Sequence, residues 1–166
     1  MKNIVLIGMP GCGKSTIGVV LAKVLGFDFV DADVLIQKKH GELIAEYGDD
    51  GFLQIENDVN KEIDLKNTVI ATGGSVVYCD EAMQHYVKND IVVYIELPYG
   101  VIASRLENVK RRGVVLKDGQ TLKDLYNERI LLYEKYAQIT VKAEGLSVEE
   151  LMDTIAEKVL AYEKTH

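Results

Sequence analysis

Ile4-Val5-Leu6-Ile7 runs straight into Gly8-Met9-Pro10-Gly11-Cys12-Gly13-Lys14-Ser15, and apolar residues then recur at helical spacing through Ile17, Val20, Leu21, Val24 and Leu25. No other feature of the chain constrains its fold so tightly. A short uninterrupted apolar run is what a strand buried on both faces needs, and such strands belong to parallel sheets covered by helices on either side. The glycine-rich stretch fits G-x-x-x-x-G-K-[ST] at every fixed position, after a strand and before a helix, as that loop requires. Its glycines let the backbone curl until successive N–H groups point inward at phosphate oxygens, while the helix that follows adds its positive end. Gly11, Cys12 and Gly13 would form that cradle, Lys14 would reach the terminal phosphates of a nucleotide, and the Ser15 hydroxyl would ligate magnesium. A dinucleotide fingerprint does not fit, because the glycines read G-x-x-G-x-G and a lysine follows. Cys12 holds a variable position of the loop. Its thiol reads as a bystander, or as a group whose pKa the electropositive loop lowers.

The rest of the chain alternates. Gly26 ends the first helix where a helix C-terminus favours glycine, and strands are expected over Phe27–Asp33, Thr68–Thr72, Ile91–Leu97 and Ile139–Val141. A helical pattern from Leu35 to Tyr47 is broken by Gly41. Gly48-Asp49-Asp50-Gly51 reads as a turn, and helical spacing resumes at Phe52, Ile55, Val59 and Ile63. Asp80 is a candidate N-cap for a helix carrying Met83 and Tyr86. A helix over Tyr99–Leu106 follows Pro98, and residues 107–120 read as a surface loop. Thr121 caps a helix to about Tyr136, and Ser147-Val148-Glu149-Glu150 is a capping box that opens the last one. Strict alternation of strand and helix implies one α/β domain with a five-stranded parallel sheet covered on both faces.

Composition excludes several classes. Nineteen Lys and Arg against twenty-six Asp and Glu leave a net charge of −7, which argues against duplex nucleic acid as a partner. The longest stretch without a charged residue, Asn67 to Cys79, is too short to span a membrane and is interrupted by glycines. With no targeting segment, a cytoplasmic protein is expected. Cys12 and Cys79 lack metal-ligand spacing and read as two reduced thiols.

Asp31-Ala32-Asp33 ends the second expected strand. A strand period of two sends both carboxylates to one face, at the sheet edge that also holds the phosphate loop. One would serve the magnesium shell and the other would orient an acceptor hydroxyl or take its proton. Capping of the next helix by Asp33 is the competing role. Gly73-Gly74-Ser75 reaches the same edge, where glycines permit close backbone approach to a substrate.

Together these segments resemble the shikimate kinase family. Met-Pro-Gly-x-Gly-Lys-Ser-Thr, Phe-Val-Asp-Ala-Asp, Gly-Asp-Asp-Gly-Phe-x-x-Ile-Glu, Ala-Thr-Gly-Gly and Arg129-x-x-Leu-Tyr133 occur in that family's order and at its separations. The resemblance implies a three-layer, nucleoside-monophosphate-kinase-like P-loop fold and transfer of the ATP γ-phosphate to a hydroxyl of shikimate, with Mg2+. By family role Lys14, Ser15 and Thr16 bind nucleotide phosphates and Arg105 lies against adenine. Asp31 supports magnesium. Asp33 holds the acceptor hydroxyls and acts as base, Gly73 and Gly74 line the acceptor site, and Arg129 grips the acceptor carboxylate. Arg112 is the arginine of a lid over residues 107–120. A monomer is expected, with an acceptor segment at about 34–65.

The departures fall on the acceptor side. Leu53 stands where the family has an arginine that forks onto the shikimate carboxylate, Ser75 replaces a third glycine, Gly113 replaces a lid proline, and a proline near residues 144–147 is missing. Charge placement agrees. All four arginines, Arg105, Arg111, Arg112 and Arg129, fall within residues 105–129, whereas residues 34–65 hold three lysines, eight acids and no arginine. That segment cannot supply the planar fork suited to a phosphorylated acceptor. A kinase of shikimate is therefore expected, with another small hydroxy acid or polyol as acceptor, or a non-catalytic nucleotide-binding module, as alternatives.

Overall fold

The first strand, β1, is Ile4–Ile7, and every one of its side chains is buried. Around it a computed structural model, which describes residues 1–108 and 116–166 without the side chains of 40–50 and 108, builds an alternating α/β chain. The elements that follow are α1 (Lys14–Leu25), β2 (Asp28–Asp31), α2 (Ala32–Lys61), β3 (Thr68–Ala71), a 3-10 turn (Val76–Tyr78), α3 (Asp80–Asn89), β4 (Ile91–Glu96), α4 (Tyr99–Asn108), α5 (Leu122–Tyr136), β5 (Ile139–Lys142) and α6 (Val148–Thr165). The five strands are all parallel, in the order β2-β3-β1-β4-β5. Three layers result, as the alternation implies. β1 and β3 are wholly buried, whereas the edge strand β5 alternates buried with exposed residues. Asn3 fixes the lower ends of the central strands. Its amide donates to Leu65 O at 2.6 Å and to Asp90 Oδ1 at 2.9 Å, and its Oδ1 accepts from Thr68 N–H at 3.0 Å.

The order has one functional consequence. The chain leaves β1 through α1 to β2 on one side, then returns past β1 to β4 on the other. The carboxyl end of β1 is thus a topological switch point, where a crevice opens between diverging connections. The glycine loop occupies that end.

Local signals foretell the helix ends well. Gly26 closes α1 at φ 70°. Thr121 with Asp124 and Ser147 with Glu150 each form a reciprocal capping box. Packing decides the rest. α1 lies tight against β2: a methyl group on Gly18 would come within 2.5 Å of the Phe29 ring.

Three expectations are corrected. α2 is one helix of 30 residues, with neither a break at Gly41 nor a turn at residues 48–51. Glycines weaken a helix by about 1 kcal/mol each without forbidding it, and α2 is held at both ends, by Ile36 and by Glu56, Val59 and Asn60, all buried. The second strand stops at Asp31, so Asp33 lies in the first turn of α2 rather than on a strand, and the cap is Asp31, whose side chain accepts from the N–H groups of Asp33 and Val34. Asp80 does not cap α3. Its carboxylate accepts from Tyr136 Oη–H at 2.6 Å, while Asn57 of α2 accepts from the Ala82 N–H in the first turn of α3. The expected lid begins as helix, since α4 extends to Asn108. Arg111, Arg112 and Gly113 lie outside the described residues.

Candidate active site

The site is a rim made by the carboxyl ends of β1, β2 and β3. The loop after β1 needs left-handed backbone at Gly11 (φ 82°) and Gly13 (φ 97°), a region L side chains rarely enter. Curled in this way, the loop surrounds the Lys14 ammonium, which donates to Gly8 O at 2.7 Å and Met9 O at 3.0 Å. Lys14 is buried, so its charge is presented to the inside of the loop rather than to bulk water. Cys12 is buried as well, with Sγ 3.7 Å from the Lys14 ammonium. Thr16 is exposed on the first turn of α1. On the outer side, the Arg105 guanidinium of α4 donates to Gly11 O at 3.0 Å. That contact sets a planar cation beside the loop.

Asp31 and Ser15 meet on the inner side. Ser15 Oγ donates to Asp31 Oδ2 at 2.9 Å, while Asp31 Oδ1 takes the first N–H groups of α2. One carboxylate thus closes a helix end and faces a hydroxyl. Hard oxygen donors of this kind suit a magnesium ion that arrives with phosphates.

Asp33 turns toward the end of β3. A methyl group on Gly73 would come within 2.6 Å of Asp33 Oδ1 and 2.9 Å of Glu56 Oε2. Any side chain at this position would have to displace one of these carboxyl groups, and the two therefore converge over one backbone position. The Asp33 residue is exposed as a whole, yet its carboxyl sits deep enough to lose water. Its pKa is raised from the ordinary aspartate value, first by that desolvation and then by Asp31, with Lys14 opposing.

The next glycine ties the two halves of the site together. A methyl group on Gly74 would meet Pro10 Cδ at 2.7 Å and Arg129 Nη1 at 3.1 Å. The phosphate loop, the Gly73-Gly74 turn and the α5 arginine thus come together at one point. Arg129 is 5% exposed, and its guanidinium lies 5.4 Å from the centre of the Tyr78 ring. One turn further along α5, Tyr133 donates to Gly74 O at 2.6 Å and stacks on Tyr94 of β4. This pins the turn against the sheet.

Glu56 is not among the residues expected at the site from sequence. It is wholly buried, its Oε1 accepts from Ser75 Oγ at 2.6 Å, and its Oε2 has no hydrogen-bond partner. Burial pushes its pKa up to about 7; Asp33 adds to the rise, while the Ser75 hydroxyl and Arg129 work against it. The signal was present in the sequence, because Glu56 is spaced to fall on the apolar stripe of Phe52, Val59 and Ile63 rather than beside it. Leu53, by contrast, is half-buried at the start of that stripe, and its carbonyl faces Cys79 Sγ at 3.5 Å.

Comparison with known proteins agrees with this geometry. A sequence model of the shikimate kinase family matches residues 10–160. The chain is 40% identical to a shikimate kinase of Thermodesulfovibrio yellowstonii over 96% of its own length and 94% of the relative's, and 39% identical to one of Clostridium botulinum over 96% and 99%. Among solved structures, a shikimate kinase of Acinetobacter baumannii in complex with shikimate superposes with a TM-score of 0.88 at 30% identity, over 98% of this chain and 94% of that one. That of Aquifex aeolicus gives 0.82 at 31%, over 97% and 98%. Among the described residues no helix is long and apolar enough to cross a membrane. Sequence, fold and rim agree, and the chain belongs to the shikimate kinase family, ATP-dependent phosphotransferases whose acceptor is a hydroxyl of shikimate.

Proposed function

We propose that this chain carries out in-line transfer of the ATP γ-phosphoryl to a shikimate hydroxyl, with donor and acceptor held in the one space bounded by the glycine loop, Gly73-Gly74 and Arg129. The contact of Gly74 with both Pro10 and Arg129 supports this reading most directly, because it brings the phosphate loop within one side chain of a buried cation suited to a carboxylate. Lys14 and the loop N–H groups bind the phosphates. Ser15 and Asp31 would hold a magnesium ion, which when bound neutralises phosphate charge. Asp33 orients the attacking hydroxyl and takes its proton, a task helped by a pKa above the ordinary aspartate value. Arg129 holds the acceptor carboxylate, Arg105 borders the adenine, and Arg112 in the lid over 107–120 stabilises charge on the transferring group. Positioning and electrostatics supply most of the acceleration.

A monomer is the proposed working form. A compartment that holds ATP and keeps the buried thiols of Cys12 and Cys79 reduced suits the cytoplasm. A coupled ADP assay over shikimate and other hydroxylated acids tests the reading. Shikimate is expected to release ADP, with Lys14→Ala lowering kcat/KM by at least about a hundredfold. Arg129→Ala is expected to raise the KM for shikimate roughly ten- to a hundredfold and to leave that for ATP within about twofold. ADP release with another hydroxy acid but not with shikimate would overturn the acceptor.

A further inference from the structure

The acceptor space has a charge problem. One described arginine, Arg129, stands near two carboxyl groups, Asp33 and Glu56, and the sequence from 34 to 65 contains no arginine. With both carboxyls ionised, two negative charges beside Arg129 would oppose an anionic acceptor, with Lys14 opposing them from the loop side. Arg129 would also be neutralised from within, since Glu56 lies close enough to feel its charge. The geometry shows a different arrangement. Glu56 has one oxygen on Ser75 and the other on nothing, and Arg129 Nε, equally buried, also has no partner. Were the two groups an ion pair, these are the atoms that would meet. The Ser75 hydroxyl instead donates to Glu56 Oε1, and the unpartnered Oε2 faces the position above Gly73.

We propose that Glu56 is a positioning residue that works as a neutral carboxylic acid, held by Ser75, so that the charge of Arg129 stays available to the carboxylate of the acceptor. This rests on the acceptor reading above and adds a determinant to it: Glu56, oriented by Ser75 and kept neutral by burial, does by neutrality what a second arginine would do by charge. The groups facing Glu56 from the surrounding elements are Asp33 at the start of α2, Cys79 beyond the 3-10 turn, Tyr86 of α3, and Arg129 on α5. Burial raises the Cys79 thiol to about 12 and the Tyr86 phenol further. Both stay neutral over the pH range of interest, which leaves Glu56 and Asp33, itself raised by burial, as the groups whose charge can change there; Glu56→Gln separates the two.

The test is the pH dependence of acceptor binding, read as the dissociation constant for shikimate by calorimetry from pH 6 to 9, beside the KM for ATP. For the parent protein, shikimate binding is expected to weaken at least about tenfold across that range while the KM for ATP changes by less than about twofold. Glu56→Gln keeps a neutral partner for Ser75 and is expected to hold the tighter value throughout. Ser75→Ala removes a hydrogen bond that favours the ionised form, so its weakening is expected at higher pH. A Glu56→Gln profile with the same slope as the parent would overturn the proposal. Carbon-13 NMR of labelled glutamate carboxyls, with Glu56 assigned by its loss in Glu56→Gln, supplies a readout independent of any acceptor. A midpoint near neutrality supports the proposal, and one in the ordinary glutamate range overturns it, even if shikimate proves to be the wrong acceptor.

Discussion

Glu56 also bears on the stability of the empty protein. Its carboxyl has an ordinary pKa near 4.5 in the unfolded chain and about 7 in the folded one. Between those values the folded state binds more protons, so stability falls as pH rises through this window. Above about pH 7 the whole penalty applies, on the order of 3 kcal/mol. Asp33 and Asp90 are raised too, mainly by burial, and slope in the same direction. The expected outcome is that urea unfolding of Glu56→Gln, compared with the parent at pH 5, 6, 7 and 8, shows a difference growing in favour of the variant by about 3 kcal/mol. Parallel curves would sink it. At this scale the sequence marks the glycine loop, Asp31 and Arg129 because each belongs to a spaced motif. It marks Glu56 only weakly: the residue falls on the apolar stripe of α2, yet an acid in a segment with seven others also reads as part of a solvated face. Only the packing of α2 against the Gly73-Ser75 turn separates it from them.

Helix ends and helix continuity were legible to different degrees. Thr121, Ser147 and Gly26 act through bonds within a few residues of themselves, so their roles follow from local spacing. The stretch from Gly41 to Gly51 carries local signals for a turn, yet α2 continues through it. Asp80 fails as a cap for a similar reason, because Asn57 and Tyr136, distant in sequence, take over the bonding at that end of α3. A substitution distinguishes a helix from a turn at Gly48. In a helix, Gly48→Ala lowers the backbone entropy of the unfolded chain and removes a poor helix former, so a gain of about 0.5–1 kcal/mol is expected in urea unfolding. Were Gly48 a turn residue with positive φ, the same change would lose stability. An accompanying rise in helical circular dichroism is not required, because the helix is present in both proteins.

For the molecule as a whole, alternation of strand and helix announces the parallel sheet but not the order of its strands. That order depends on which connections cross β1, and it makes the carboxyl end of β1 the meeting place of residues as distant in sequence as Lys14, Glu56, Gly73 and Arg129. The net charge of −7 does not oppose the binding of ATP, because Lys14 and the loop N–H groups act inside a confined loop while the excess acids are spread over the rest of the chain. Ligands that join these separate segments should stabilise the whole fold, because they bind the assembled rim and not the unfolded chain. A non-hydrolysable ATP analogue with magnesium at about a hundred times its Kd contributes about 2.7 kcal/mol, which for a chain of this size raises Tm by roughly 5–10 °C. Because Ser15 and Asp31 are the hard oxygen donors beside the loop, a chelator is expected to remove most of that shift, and Asp31→Asn to reduce it while leaving the magnesium-free nucleotide shift in place. Shikimate alone is expected to raise Tm in the parent and much less in Arg129→Ala. A nucleotide shift that the chelator leaves untouched would take Ser15 and Asp31 out of the magnesium site, since only an ion held between protein and phosphates couples the two.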